Sequence, residues 1–226
     1  MTRYWPRRAE GLPPGQRLLP VMPRFSDNPF LPPPSGLVEP ELEIACEGDA
    51  LARVNGEMLE GLGPLEVTAE FHCVTTWSVT GLVWRGVPLR EVLAAVGITK
   101  APAPYVVARG ADSCWTAFVW EDVTAEGVLL ATHLDGAPLD ARHGAPLRLV
   151  SPSQYGYKSV KHLMSLDFRR EQPRAASKQH LRARVALEER HPSLPAWAVR
   201  LPYRTLIVPT ARLSERTLGR SAARLG

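Results

Sequence analysis

With 226 residues, 45% of them hydrophobic and 22% charged, the chain can bury a substantial core as one large domain or two small ones. No stretch reaches the roughly 18 apolar residues of a bilayer span, and no apolar segment follows Arg7-Arg8, so neither a membrane helix nor a twin-arginine export signal is expected. The net charge of +4 hides an asymmetry: residues 1–168 carry 14 Lys and Arg against 19 Asp and Glu, whereas residues 169–226 carry 13 against 4.

Residues 1–36 are rich in Pro, Gly and Arg, and Leu31-Pro32-Pro33-Pro34-Ser35-Gly36 forbids a regular helix, so an extended arm is expected there. A body over 37–170 follows. Its strand-like runs are Leu42 to Cys46, Leu51 to Val54, and Leu65 to Val74. Val87 to Gly97 has Pro near its start, Leu and Val at helical spacing and Gly as a stop, which predicts one compact helix. Tyr105 to Ala108, Trp115 to Trp120, Val128 to Thr132 and Leu147 to Val150 return to strand, with Asp135-Gly136 as a hairpin turn. From 171 to 226 the chain is an arginine-rich extension. Leu181, Val185 and Leu187 predict an amphipathic helix over Ser177 to Arg190, ended by His191-Pro192. The apolar residues beyond it, Trp197, Leu201, Tyr203, Leu206, Ile207 and Val208, are expected to pack on the body. No internal repeat is present.

Three cysteines, Cys46, Cys73 and Cys114, lack the spacing of a zinc finger or a CxxC redox site and favour a reducing cytoplasm. Cys73 lies in Phe71-His72-Cys73-Val74-Thr75-Thr76-Trp77-Ser78, where an apolar strand meets small hydroxyl residues. On residue type alone, a small buried hydrophobe is the favoured reading. A cysteine hydrolase is disfavoured, because neighbouring strand residues point to opposite faces and His72 would point away from the thiol. Some eighty-five residues later, Tyr155-Gly156-Tyr157-Lys158-Ser159-Val160-Lys161 offers a turn with two cations suited to an anion such as phosphate.

These segments, with Trp84-Arg85-Gly86-Val87-Pro88-Leu89 and His143-Gly144-Ala145-Pro146-Leu147-Arg148-Leu149-Val150, follow one another as in the sulfite oxidase superfamily of molybdopterin enzymes. The chain resembles the small bacterial members of that superfamily over roughly residues 25–170. The resemblance implies an α+β, strand-rich molybdopterin-binding fold and an oxidoreductase with molybdenum and molybdopterin as cofactors. Cys73 would be the catalytic thiolate ligand of the metal, completed by two dithiolene sulfurs and terminal oxygens. His143, Arg148, Ser159, Val160 and Lys161 match positions that hold the pterin and its phosphate. A guanidinium fork, an ammonium, a hydroxyl and backbone N–H groups suit a doubly charged phosphate. Asn28, in Phe25-Ser26-Asp27-Asn28, and Asp112 match two further pterin contacts.

The chain departs from the pattern at Thr76, at His162 and at Ser113-Cys114-Trp115, which bears on substrate recognition. The implied reaction is oxygen-atom transfer to or from a small sulfur- or nitrogen-containing substrate of the sulfite or sulfoxide type. A separate electron-transfer partner and a monomeric chain are expected, and no nucleic-acid partner. The competing expectation is a non-catalytic molybdopterin-binding or interaction protein on the same scaffold.

Overall fold

The computed structural model describes residues 6–24, 32–173 and 180–222. In chain order they form β1 (Arg17–Leu18), β2 (Glu41–Cys46), β3 (Asp49–Asn55), α1 (Gly56–Gly61), β4 (Leu65–His72), β5 (Trp77–Pro88), α2 (Leu89–Ala95), β6 (Tyr105–Gly110) and β7 (Trp115–Val119). There follow α3 (Trp120–Val123), β8 (Leu129–Leu134), β9 (Ala137–Pro138), β10 (Arg148–Val150), a 3-10 turn at Gly156–Lys158, β11 (Leu163–Arg169), α4 (Ala196–Thr205) and α5 (Ile207–Ala222). Strands dominate, in the expected α+β class.

One sheet runs β3-β2-β11-β6-β7, with β11 parallel to β2 and antiparallel to β6. The other is built on β5, whose twelve residues pair with β4 along one edge. Its opposite edge takes β1 at Trp77 and Ser78, then β8 from Trp84 to Pro88. Gly86 lies at the bulge in that second pairing, where an added Cβ would stand 2.1 Å from the Leu130 carbonyl oxygen. Only glycine permits the two backbones to approach so closely. Asp135 and Gly136, both with positive φ, close the β8–β9 hairpin in the two-residue turn that the sequence predicts.

Two apolar clusters position the site. The larger joins Leu42, Ile44, Val106, Phe118, Leu166 and Phe168 of the first sheet to Leu89, Val92 and Leu93 of α2. The second covers the hairpin of β4 and β5 and contains Phe71, Cys73, Trp77, Trp84, Val150 and, from the far end of the chain, Ile207.

The extension differs from expectation. Within 180–190 there are turns and a single bridge, Gln154 to Arg184, and no helix. Ala183 and Val185 are the apolar residues buried there, at a two-residue spacing, while Leu187 is exposed. Positive φ at Ala183 and Glu188 further breaks any helical course. Beyond His191, Ile207 packs into the body as expected, but Trp197 is 75% and Leu201 68% exposed. They sit four residues apart on α4, on one solvent-facing side.

Candidate active site

The turn from Cys73 to Thr76 joins β4 to β5. Cys73 donates its backbone N–H to the Trp77 carbonyl (2.8 Å), and Thr76, at φ +74°, donates to the Cys73 carbonyl (3.1 Å). The sulfur of Cys73 is buried, 3.2 Å from the Thr75 hydroxyl oxygen. Strand alternation sends His72 the other way, as expected. Its Nδ1 lies 2.8 Å from the Ser78 hydroxyl and its Nε2 3.3 Å from Glu70, and burial pushes its pKa down to about 4. Its ring nitrogens are engaged by Ser78 and Glu70, an arrangement unlike the cysteine–histidine pair of a hydrolase.

Two residues before Cys73, Phe71 stacks on Trp77 with ring centroids 5.6 Å apart. The Arg148 guanidinium lies over the Phe71 ring (5.1 Å) and over that of Trp84 (5.2 Å). The fully buried Arg148 thus links the cysteine hairpin to the loop of residues 140–146. Its Nη1 donates to the His143 carbonyl (3.0 Å), and Lys161 Nζ donates to the adjacent carbonyl, that of Arg142 (2.8 Å). Asp140 caps this loop by accepting from the N–H groups of Arg142 and His143. His162 ties it down, with its N–H donating to the Gly144 carbonyl and its Nδ1 2.6 Å from the Ala145 carbonyl. Gly144 is required here, because a Cβ would stand 2.9 Å from Lys161 Cα.

The electrostatics are those of an anion site. Burial holds the Arg148 pKa down to about 9, with Asp112 partly offsetting it. Burial, then the charges of Arg148 and Arg24, hold Lys161 down to about 7. Burial and the neighbouring cations Arg148, Lys161 and Arg142 likewise push His143 down to about 4. Buried Arg24 donates to the Ser214 carbonyl (2.9 Å) and feels Asp112 and Glu215. Buried His143 Nδ1 and Arg148 Nε have no hydrogen-bond partner among the described residues. Burial disfavours the charged forms of Arg148, Arg24 and Lys161, the last opposed also by its two cationic neighbours, while polar atoms stay unsatisfied, so the residues present fit a pterin phosphate.

Most predicted residues come together here. Arg148, Lys161, His143 and Asp112 form one electrostatic cluster. Ser159 is buried just after the 3-10 turn, its hydroxyl accepting from the Ser151 N–H (3.1 Å). Val160 contributes packing: its side chain is in the larger core, and its N–H donates to the Lys158 carbonyl (3.1 Å). Asn28 lies outside the described residues. Lys158 does not join the cluster. It is buried beneath Phe118, with its ammonium 4.8 Å from that ring and donating to the Ala117 and Leu181 carbonyls. The sequence therefore offers one cation from this turn, not two. Three residues went unsingled in the sequence: Arg24 at the phosphate end, and Gln16 and Arg190 at the cysteine end. Gln16 Nε2 donates to the Cys73 carbonyl (3.2 Å) and Arg190 Nη1 to that of Val74 (2.7 Å). Their only sequence signal was polarity within otherwise unremarkable segments. A separate cleft, lined by Pro40, Glu57, Glu60, His133 and Pro146, has a largely acidic ionisable lining and does not suit an anionic group.

Comparison with known proteins agrees with this geometry. Residues 39–177 match the oxidoreductase molybdopterin binding domain. The uncharacterized oxidoreductase YuiH of Bacillus subtilis is 38% identical over 102 residues, 45% of this chain and 51% of its own. The protein-methionine-sulfoxide reductase catalytic subunit MsrP of Xanthomonas campestris is 33% identical over 134 residues, 53% of this chain and 41% of its own. The sulfane dehydrogenase SoxCD of Paracoccus pantotrophus superposes with a TM-score of 0.50 at 25% identity, covering 61% of this chain and 41% of that one. This chain therefore spans about half, or less, of the length of these relatives.

Proposed function

The chain belongs to the oxidoreductase molybdopterin-binding domain family, within the sulfite oxidase superfamily, and we propose that it transfers an oxygen atom to or from a small sulfur- or nitrogen-containing substrate. The observation that carries this reading is the junction of Cys73 with the Arg148–Lys161–His143 cluster through a single side chain, Phe71. Bound there, molybdenum with its pterin would supply a two-electron redox couple.

The protein's part is to hold and shape. Cys73 offers a thiolate at a fixed point, because the carbonyls of its turn are themselves hydrogen-bonded. Arg148 and Lys161 grip phosphate, one with a planar fork and the other as a point charge. Neutral His143 keeps a hydrogen-bonding edge for the pterin. The aromatic and aliphatic cluster around Cys73 keeps water from the ligand turn. A separate electron-transfer partner belongs to this reading, since MsrP is by name a catalytic subunit. Among the described residues no helix is long and apolar enough to cross a membrane.

The test is protein purified from a molybdenum-replete host. About one molybdenum and one pterin per chain are expected, with reduction of methionine sulfoxide or oxidation of sulfite using artificial electron donors or acceptors. Cys73→Ser should keep pterin and lose turnover. Pterin without stoichiometric molybdenum, inert towards sulfite and a panel of S- and N-oxides, would identify a non-catalytic binding module instead.

A further inference from the structure

We propose that Arg190 is a positioning residue for the metal-ligand turn, and that the C-terminal segment carrying it completes the active site. It lies beyond the residues that match the family, 39–177. The inference rests on the reading of Cys73 as the metal ligand.

Arg190 is fully buried. One guanidinium nitrogen donates to the Val74 carbonyl (2.7 Å), next to Cys73, and the other to the Pro14 carbonyl (3.1 Å) of the N-terminal arm. The guanidinium lies over the Tyr155 ring (4.8 Å), and its Nε is 3.5 Å from Glu188. One side chain thereby fixes four separate parts of the chain around a single turn. Glu188 is itself held by Arg200 of α4. Arg204, one turn further along that helix, reaches the Thr76 hydroxyl and the Gly15 carbonyl, both at 3.4 Å. Beneath them Ala183 and Val185 pack with Tyr155 against Val74.

A thiolate ligand is useful only if its sulfur stays in one place as the metal's charge changes. Partners outside the coordination sphere commonly enforce that placement. The carbonyls of Cys73, Val74 and Thr76 accept from Gln16, Arg190 and Arg17 respectively, so the turn's backbone is anchored from both ends of the chain. Arg190 is the only one of the three to do so with a buried charged group. A hydrogen bond from a buried charge is stronger than one between neutral groups. Lysine does not reproduce this arrangement, because its ammonium is one point charge, without the planar fork that spans the Val74 and Pro14 carbonyls while lying over the Tyr155 ring.

Arg190→Lys and Arg190→Ala test the assignment in the full chain. In cofactor-free protein, alkylation of Cys73 by iodoacetamide, followed by mass spectrometry, should quicken roughly ten- to a hundredfold in Arg190→Ala as the turn opens. Guanidinium at millimolar concentration should partly reverse this. In loaded protein, Arg190→Lys should retain pterin but give a broadened or shifted Mo(V) electron paramagnetic resonance signal. Its kcat should fall more than its KM rises. Unchanged alkylation and an unchanged Mo(V) signal in Arg190→Lys would show that the residue merely packs the extension. If Arg190→Ala fails to fold, the Lys variant decides alone. An unchanged Mo(V) signal with undiminished turnover in Cys73→Ser would remove the premise about Cys73, an outcome separate from either result at Arg190.

Discussion

Replacing Lys161 by Met should reshape the pH dependence of stability in the cofactor-free protein. The Lys161 ammonium is partly buried beside Arg148 and Arg24, which holds its pKa at about 7 instead of the usual 10.5. Between those values the unfolded chain binds a proton that the folded chain does not, so stability rises as pH climbs from about 7 towards 10.5. The full gap corresponds to a ceiling of about 5 kcal/mol, and partial solvent screening reduces it to about 2 kcal/mol. Met removes that penalty but also the hydrogen bond to the Arg142 carbonyl, worth about 1 kcal/mol. Lys161→Met should therefore be about 1 kcal/mol more stable than the parent at pH 6.5 and about 1 kcal/mol less stable near pH 10. Each difference corresponds to about 2–4 °C in Tm for a chain of this size. Lys158, also held down to about 7 by burial, and Arg148, held down to about 9, leave a residual rise with pH in both proteins. The buried histidines act only below pH 6.5 and stay out of this window. Calorimetric scans every half unit from pH 6.5 to 10 read the two curves. Parallel curves that never cross would refute the lowered pKa of Lys161. Bound cofactor should flatten the parent's curve, because the phosphate restores the proton to Lys161.

Gly86→Ala should cost more than about 3 kcal/mol, since its methyl group meets backbone and not a side chain that could yield; the urea midpoint and soluble yield report it. Ile207→Ala should cost about 2–5 kcal/mol and Trp197→Ala less than about 0.5 kcal/mol in the same urea experiment, and equal losses would contradict the placement of the two helices. Arg148→Lys keeps the charge but not the fork, so the protein should fold yet retain markedly less pterin, measured by fluorescence after oxidation; undiminished pterin would argue against the clamp.

How much of this was legible depended on whether meaning lay in order or in direction. The cysteine turn and the 143–161 segment carry their chemistry in residue order, so both were readable. The strand from Trp77 to Pro88 was not singled out: Gly81 and Gly86 interrupt its apolar residues, and glycine ordinarily weakens a strand. In the fold they are a positive-φ glycine within the strand and a bulge beside β8. Lys158 was misassigned for a directional reason: the 3-10 turn ends at Lys158, and the chain leaves it at Ser159 in a non-helical course, so the spacing of three does not bring the two side chains together. Lys158 therefore leaves on a different side from Lys161. In the extension, charged residues around Leu181, Val185 and Leu187 mimic helical spacing. The burial that decides its course is local, at Ala183 and Val185, and depends on Tyr155 and Val74.

The hydrogen bond from Arg190 to Val74 also has a timetable. Its partners are 116 positions apart. At ribosomal rates of about 5–20 residues per second, the arginine is added roughly 6–23 s after the carbonyl it will hold. The N-terminal arm and the β4–β5 hairpin can form while the chain is still growing, but the turn between them closes only once the extension has arrived. The cysteine turn is thus made early and, on the proposed role of Arg190, anchored late.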